Sequence, residues 1–232
     1  MAVLPTTLTP ARGGAVLALI ATSLVAAAVK IAGAVLDVGW TSSAQWLYLP
    51  PLTVVLVLAG GLRDRRGWWW LVGLALSWVG DAFGGADFLL LLGSFLVAHV
   101  CFIVALWPTR AAGAWGRLGS VPYLLLALAG TAAIVPAAGG LTVPVVLYAA
   151  ALTVMAILAT AAGRAGALGG LLFLVSDLTL GLCTFVLEWP TAVRTAVVIG
   201  TYVPAQVLLL VAFLRLLAST RSGSPRAANR WA

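Results

Sequence analysis

Two aspartates, Asp81 and Asp177, stand within strongly apolar stretches of the chain, as do the single histidine, His99, and the single lysine, Lys30. Tyr202 and Gln206 are four residues apart, so on a helix they share one face. Ionisable groups among apolar residues are costly to bury and are functional candidates by default. Two carboxylates in different surroundings divide acid–base work. One, protonated, delivers a proton; the other, ionised, stabilises a cation or activates water. The same pair also suits proton relay or cation binding in a transporter. Two cysteines and one histidine exclude a disulfide framework, a cysteine-rich metal site and any site needing several imidazoles.

The elements that position these groups follow from composition. Of 232 residues, 63% are hydrophobic and 8% charged; mean hydropathy is +1.13. An ordinary globular chain is about 45–50% apolar and about 25% charged. This balance excludes a soluble enzyme, a disordered chain and a nucleic-acid module, despite a net charge of +7. It predicts an all-α integral membrane bundle. A spanning helix needs roughly 20 apolar residues, and eight are expected, at 14–36, 45–62, 67–83, 87–107, 118–135, 143–162, 165–187 and 194–217. The first run is too long for the apolar core of a cleaved signal, roughly 7–15 residues. Residues 1–218 are expected to form one eight-helix domain, and 219–232 a short basic disordered tail near anionic lipid.

Charge sets the sides. Arg12, Arg63, Arg65, Arg66, Arg110, Arg117, Arg164, Arg215, Arg221, Arg226 and Arg230 fall on one side of this scheme; Arg194 falls on the other. The positive-inside rule then places both termini in the cytoplasm of a multi-pass protein of the inner or plasma membrane, with Trp68, Trp69 and Trp70 as an interfacial belt. Counted from the arginine-rich ends at 1.5 Å per residue, His99 lies roughly 12 Å deep, Gln206 roughly 16 Å, Asp177 roughly 18 Å, Asp81 roughly 21 Å, Tyr202 roughly 22 Å and Lys30 roughly 24 Å. Five helices thus converge on one slab. Small residues form stripes beside the aspartates: Gly73, Ser77 and Gly84 beside Asp81; Gly166, Gly169, Gly170, Ser176 and Gly181 beside Asp177. Such stripes serve close helix packing. Pro204 lies between Tyr202 and Gln206 and cannot bond the carbonyl of Gly200, so a kink and a freed acceptor are expected there. Asp37, Asp87 and Glu188 are expected at span ends, and Cys101 and Cys183 as apolar fillers too far apart to pair.

Three segments together resemble the YhhN-like family, which includes the lysoplasmalogenases. Ser77-Trp-Val-Gly80-Asp81, followed by Phe88, Gly93, Phe95 and Ala98-His99, resembles its S-x-x-G-D segment with the downstream F, G, F and His. Gly169 to Asp177 resembles its G-x-x-x-F-x-x-S-D, and Thr201-Tyr202-Val-Pro-Ala205-Gln206 its T-Y-x-x-A-Q. The chain departs from the family pattern at Pro50-Pro51, where members often carry Lys-Pro, and at Phe102, where an aromatic hydroxyl is frequent.

The resemblance implies hydrolysis of the vinyl ether bond of a lysoplasmalogen, a lysophospholipid, to a fatty aldehyde and a glycerophospho-ethanolamine or -choline. That chemistry protonates the β-carbon, adds water to the oxocarbenium ion and collapses the hemiacetal. It calls for an acid and an anion or base, with no metal and no cofactor. Asp81 and Asp177 are the expected catalytic pair. His99, Ser176, Tyr202, Gln206 and Lys30 are the expected binding or orienting groups, with Lys30 or Arg194 meeting the phosphate. The rival readings are a proton- or cation-coupled transporter built on the same aspartates and a non-catalytic lipid-binding membrane protein.

Overall fold

The computed structural model describes residues 10–85, 87–112 and 118–221. Among them are eight α-helices: α1 Pro10–Val35, α2 Pro50–Leu58, α3 Arg65–Phe83, α4 Phe88–Leu106, α5 Val121–Ile134, α6 Thr142–Thr160, α7 Arg164–Phe185 and α8 Thr191–Arg221. The chain is a helical membrane protein. Five helices are long and apolar enough to cross a membrane: α1, α4, α6, α7 and α8. Apolar side chains cover the outside as well as the core. Val25, Leu125 and Leu128 are each at least 60% exposed, a surface that suits lipid rather than water.

The sequence places one continuous span at 45–62, but the structure divides this stretch. A 3₁₀ segment runs Gly39–Leu47, and α2 begins with Pro50 and Pro51 in its first turn. Prolines lack the N–H that a helix interior needs and disfavour helix in the preceding residue, so the pair opens a helix instead of sitting inside one. Gly60, at φ +71°, ends it in the left-handed conformation. The two pieces return along α1. Thr41 lies against Gly33, so close that a Cβ there would overlap its side chain. At the other end, Val57, Leu58 and Gly60 share a cleft with Arg12. Proline also fixes α5, which starts with Pro122 in its first turn and passes into a 3₁₀ turn containing Pro136.

Acidic residues outside the interior finish helices. Asp64 caps α3 by accepting from the Arg66 N–H at 2.9 Å, and Asp87 caps α4 by accepting from Leu89 and Leu90. Asp37 holds φ 55° just after α1, where the Val38 N–H closes onto the Gly33 carbonyl. This is the left-handed C-terminal position that Asp tolerates. Arg66 also donates to the Asp64 carboxylate and holds it below the usual carboxylate range.

The small stripes are packing surfaces. A Cβ on Gly73 would fall 2.4 Å from the Phe102 ring, and one on Gly80 2.6 Å from Phe95, so α4 lies directly on α3. Gly169 and Gly170 do the same for α7 against Leu209 of α8 and Ala156 of α6. Trp70 stacks on Phe213 with centroids 4.1 Å apart and meets Phe102 at 4.8 Å, tying α3, α4 and α8 together. α8 runs unbroken through Pro204 to Arg221. Its last three residues thus continue as helix where the basic tail was expected to begin; 222–232 lie outside the described residues, as does Arg117. Arg221 donates to the Gly60 carbonyl at 3.1 Å and Arg66 to Thr220 at 3.2 Å. The α2–α3 joint and the end of α8, both arginine-bearing, therefore share one end of the bundle.

Candidate active site

The packing just described brings together side chains from α3, α4, α6, α7 and α8. On α3, the close seat of Phe95 against Gly80 leaves Asp81 facing α8, where its carboxylate accepts the Tyr202 hydroxyl at 2.8 Å. Gln206, one turn further along α8, donates to the same hydroxyl oxygen at 3.4 Å. On α7, Asp177 accepts the hydroxyl of Tyr148 of α6 in a short hydrogen bond. Both carboxylates are thus held by a tyrosine from another helix.

Aromatic rings connect the two pairs. Tyr148 meets His99 edge to face at 5.3 Å, His99 meets Phe173 at 4.9 Å, and Phe173 meets Tyr202 at 5.4 Å. Phe95 closes the row against Tyr202 at 5.7 Å. His99 is fully buried; its Nδ1 is 2.6 Å from the Phe95 carbonyl, which can only accept, so Nδ1 carries a proton and donates it. Nε2 lies among rings, with no hydrogen-bond partner among the described residues.

The surroundings of the two aspartates differ. Asp177 and Tyr148 line a narrow cleft of about 70 Å³ between α4, α5, α6 and α7. Its other walls are apolar apart from Thr131 and include Leu91, Leu152, Leu178 and Phe185. Asp81 is not among the lining residues. It is half-buried against Tyr202, one turn along α3 from Ser77, whose buried hydroxyl has no partner among the described residues.

The expected orienting groups separate accordingly. Tyr202, Gln206 and His99 belong to the cluster. Ser176, also buried, donates to the Val198 carbonyl at 3.1 Å and so ties α7 to α8 beside Asp177. Lys30, half-buried on α1, makes no hydrogen bond or ion pair with either aspartate. Tyr148 was missed because the reading followed charge. Its signal was nonetheless present: it is one of four tyrosines in the chain, set within α6, whose other polar side chains are threonines.

The model of the YhhN family matches residues 44–213, a stretch that contains Asp81, His99, Tyr148, Asp177 and Tyr202. A protein of Mycobacterium bovis (strain ATCC BAA-935 / AF2122/97) named lysoplasmalogenase is 34% identical over 164 residues, which cover 65% of this chain. A protein of the same name from Mycobacterium tuberculosis (strain CDC 1551 / Oshkosh) is similar to the same extent. The matched part spans 61% of the length of these curated relatives. No solved structure matches the chain.

Proposed function

Since the chain belongs to the YhhN family, we propose that it is a membrane-embedded hydrolase that cleaves the vinyl ether bond of a lysoplasmalogen. The observation that carries this reading is a carboxylate held by a tyrosine hydroxyl on the wall of an apolar cleft. Such walls match the polarity of an alkenyl chain, whose first carbons would lie against them with the polar bond at Asp177.

In this reading Asp177 is the catalytic acid. Tyr148 occupies Oδ2, so the proton is carried on Oδ1. It passes to the β-carbon of the vinyl ether as the double bond's electron pair forms the new C–H bond. The oxocarbenium ion that results is stabilised by the carboxylate left behind, itself stabilised by the tyrosine hydrogen bond. Water adds to the cationic carbon and returns its proton to Asp177. The hemiacetal collapses to fatty aldehyde and glycerophospho-alcohol. Asp81 is a positioning residue, acting through Tyr202, Phe173 and His99 on the ring wall. The headgroup lies toward Arg194, which opens α8 at the same end of the bundle as Phe185, the last residue of α7.

For topology, the 3₁₀ segment with α2 makes one broken crossing, and α3 and α5 make two more. This gives eight crossings with both termini in the cytoplasm of a plasma- or inner-membrane protein. Non-helical backbone at membrane depth is tolerated where protein covers it, as α1 covers this segment. The test is fatty aldehyde release from lysoplasmenyl-ethanolamine by purified protein in detergent. Release that is absent from Asp177→Asn supports the reading; a folded wild type that releases none overturns it.

A further inference from the structure

A second site lies at the arginine-bearing end of the bundle. A cleft of about 350 Å³ is lined by Arg12, Arg63, Gly60, Val57, Leu58 and Leu62. Arg63 folds back over Gly60, where even a Cβ would lie 3.6 Å from its side chain, so the turn itself aims the guanidinium. Gly60 is held there by Arg221, which donates to its carbonyl at 3.1 Å. Asp64, the nearest carboxylate in sequence, is taken by Arg66 at 3.0 Å. Arg12 and Arg63 make no ion pair with a described carboxylate. Two cations of exposed side chains thus face one cavity whose other walls are aliphatic. Arg12 stands in the first turn of α1, where the helix field has the same positive sign.

We infer that this cleft binds the phosphate of an anionic amphiphile, with Arg12 and Arg63 on the phosphate oxygens and Val57, Leu58 and Leu62 along the first methylenes of the acyl chain. Arginine suits this task because its planar fork matches phosphate oxygens two at a time. The site is separate from the candidate active site. Asp177 lies thirteen residues along α7 from Arg164, about 20 Å, and Asp81 lies sixteen residues along α3 from Arg65, about 24 Å. A lysophospholipid has only a few bonds between its phosphate and its ether oxygen, so one molecule cannot fill both. The occupant is a structural or regulatory phospholipid, or a free phosphate that shares its chemistry.

Native mass spectrometry of the full chain released from detergent tests this, with phosphatidylglycerol, phosphatidylcholine and inorganic phosphate as probes. Wild type is expected to retain one phosphatidylglycerol in preference to phosphatidylcholine. Arg12→Gln/Arg63→Gln is expected to lose affinity about thirtyfold. The charge-matched Arg65→Gln/Arg110→Gln is expected to keep it. Competition by millimolar phosphate assigns the free anion as ligand of the same two arginines; its failure to compete assigns the lipid. Equal retention of both lipids, or equal loss in both double variants, overturns the site. Unchanged aldehyde release in Arg12→Gln/Arg63→Gln keeps this outcome independent of the hydrolase reading.

Discussion

Asp81 and Asp177 are built alike and housed differently. Each is on the α3 or α7 glycine stripe, and each accepts a hydroxyl from a tyrosine of a neighbouring helix. Around Asp177 the helices part into a cleft walled by aliphatic side chains. Beside Asp81, Gly73 and Gly80 let Phe102 and Phe95 press onto α3. Both aspartates are half-buried, and the difference is that Asp177 lines this cleft and Asp81 does not. In the proposed reaction, the cleft beside Asp177 is what singles that carboxylate out for a substrate.

The sharpest test of this contrast is a pair of amide substitutions. Asp177→Asn removes the proton donor and is expected to lower kcat by about 10²–10⁴-fold. Asp81→Asn keeps the shape and is expected to cost on the order of tenfold in kcat with KM unchanged, since its effect passes through the ring wall. Equal losses in kcat, measured by aldehyde release, would erase the distinction. The hydroxyls come next. Tyr148→Phe removes a hydrogen bond to a carboxylate, worth about 1.5–3 kcal/mol, and is expected to lower kcat roughly ten- to hundredfold. Tyr202→Phe strands Asp81 and Gln206 inside the bundle, so its loss should appear chiefly in thermal stability.

Glycine substitutions probe the walls directly. Gly80→Ala places a Cβ 2.6 Å from the Phe95 ring and is expected to destabilise by about 1–3 kcal/mol. In Gly181→Ala the new Cβ meets only the movable end of Ile134, at 2.8 Å. That variant should melt near wild type but raise KM by narrowing the cleft; melting curves and KM together separate the two. The smallest effect is expected outside the interior. Asp64→Ala removes the cap of α3 and should cost about 1 kcal/mol. Arg66 lowers the pKa of Asp64 in the folded state. Its stabilisation is thus complete above the ordinary carboxylate range and vanishes as pH falls through the folded value. The difference in melting temperature between wild type and Asp64→Ala should shrink on acidification.

Much of this arrangement was legible in the residues. The helix positions followed from apolar runs punctuated by Arg63–Arg66, Pro108, Pro136 and Pro190, and Asp81, Asp177, His99, Tyr202 and Gln206 stood out because polarity within an apolar run has few explanations. The division of the second segment was harder. Pro50-Pro51 sits within an apolar stretch of sufficient length, and hydropathy is blind to a missing N–H. Tyr148 was obscured because a phenol is apolar on most of its surface. The difference between the two aspartates was not legible at all. Both have stripes of small residues, and both stripes are packed, by Phe95 and Phe102 beside Asp81 and by Leu209 and Ala156 beside Asp177, so nothing in the stripe pattern marks the cleft that Asp177 lines.

The length of α8 has a mechanical consequence. Its 31 residues extend about 46 Å, well beyond a hydrocarbon layer of about 30 Å. One end is moored by Arg221 to Gly60, and Tyr202, further along, grips Asp81. Pro204 leaves one rung of the helical ladder unmade just past that grip. The rod is therefore most compliant beside the residue it must hold still, and any strain on its moored end concentrates within a turn of the Asp81 carboxylate.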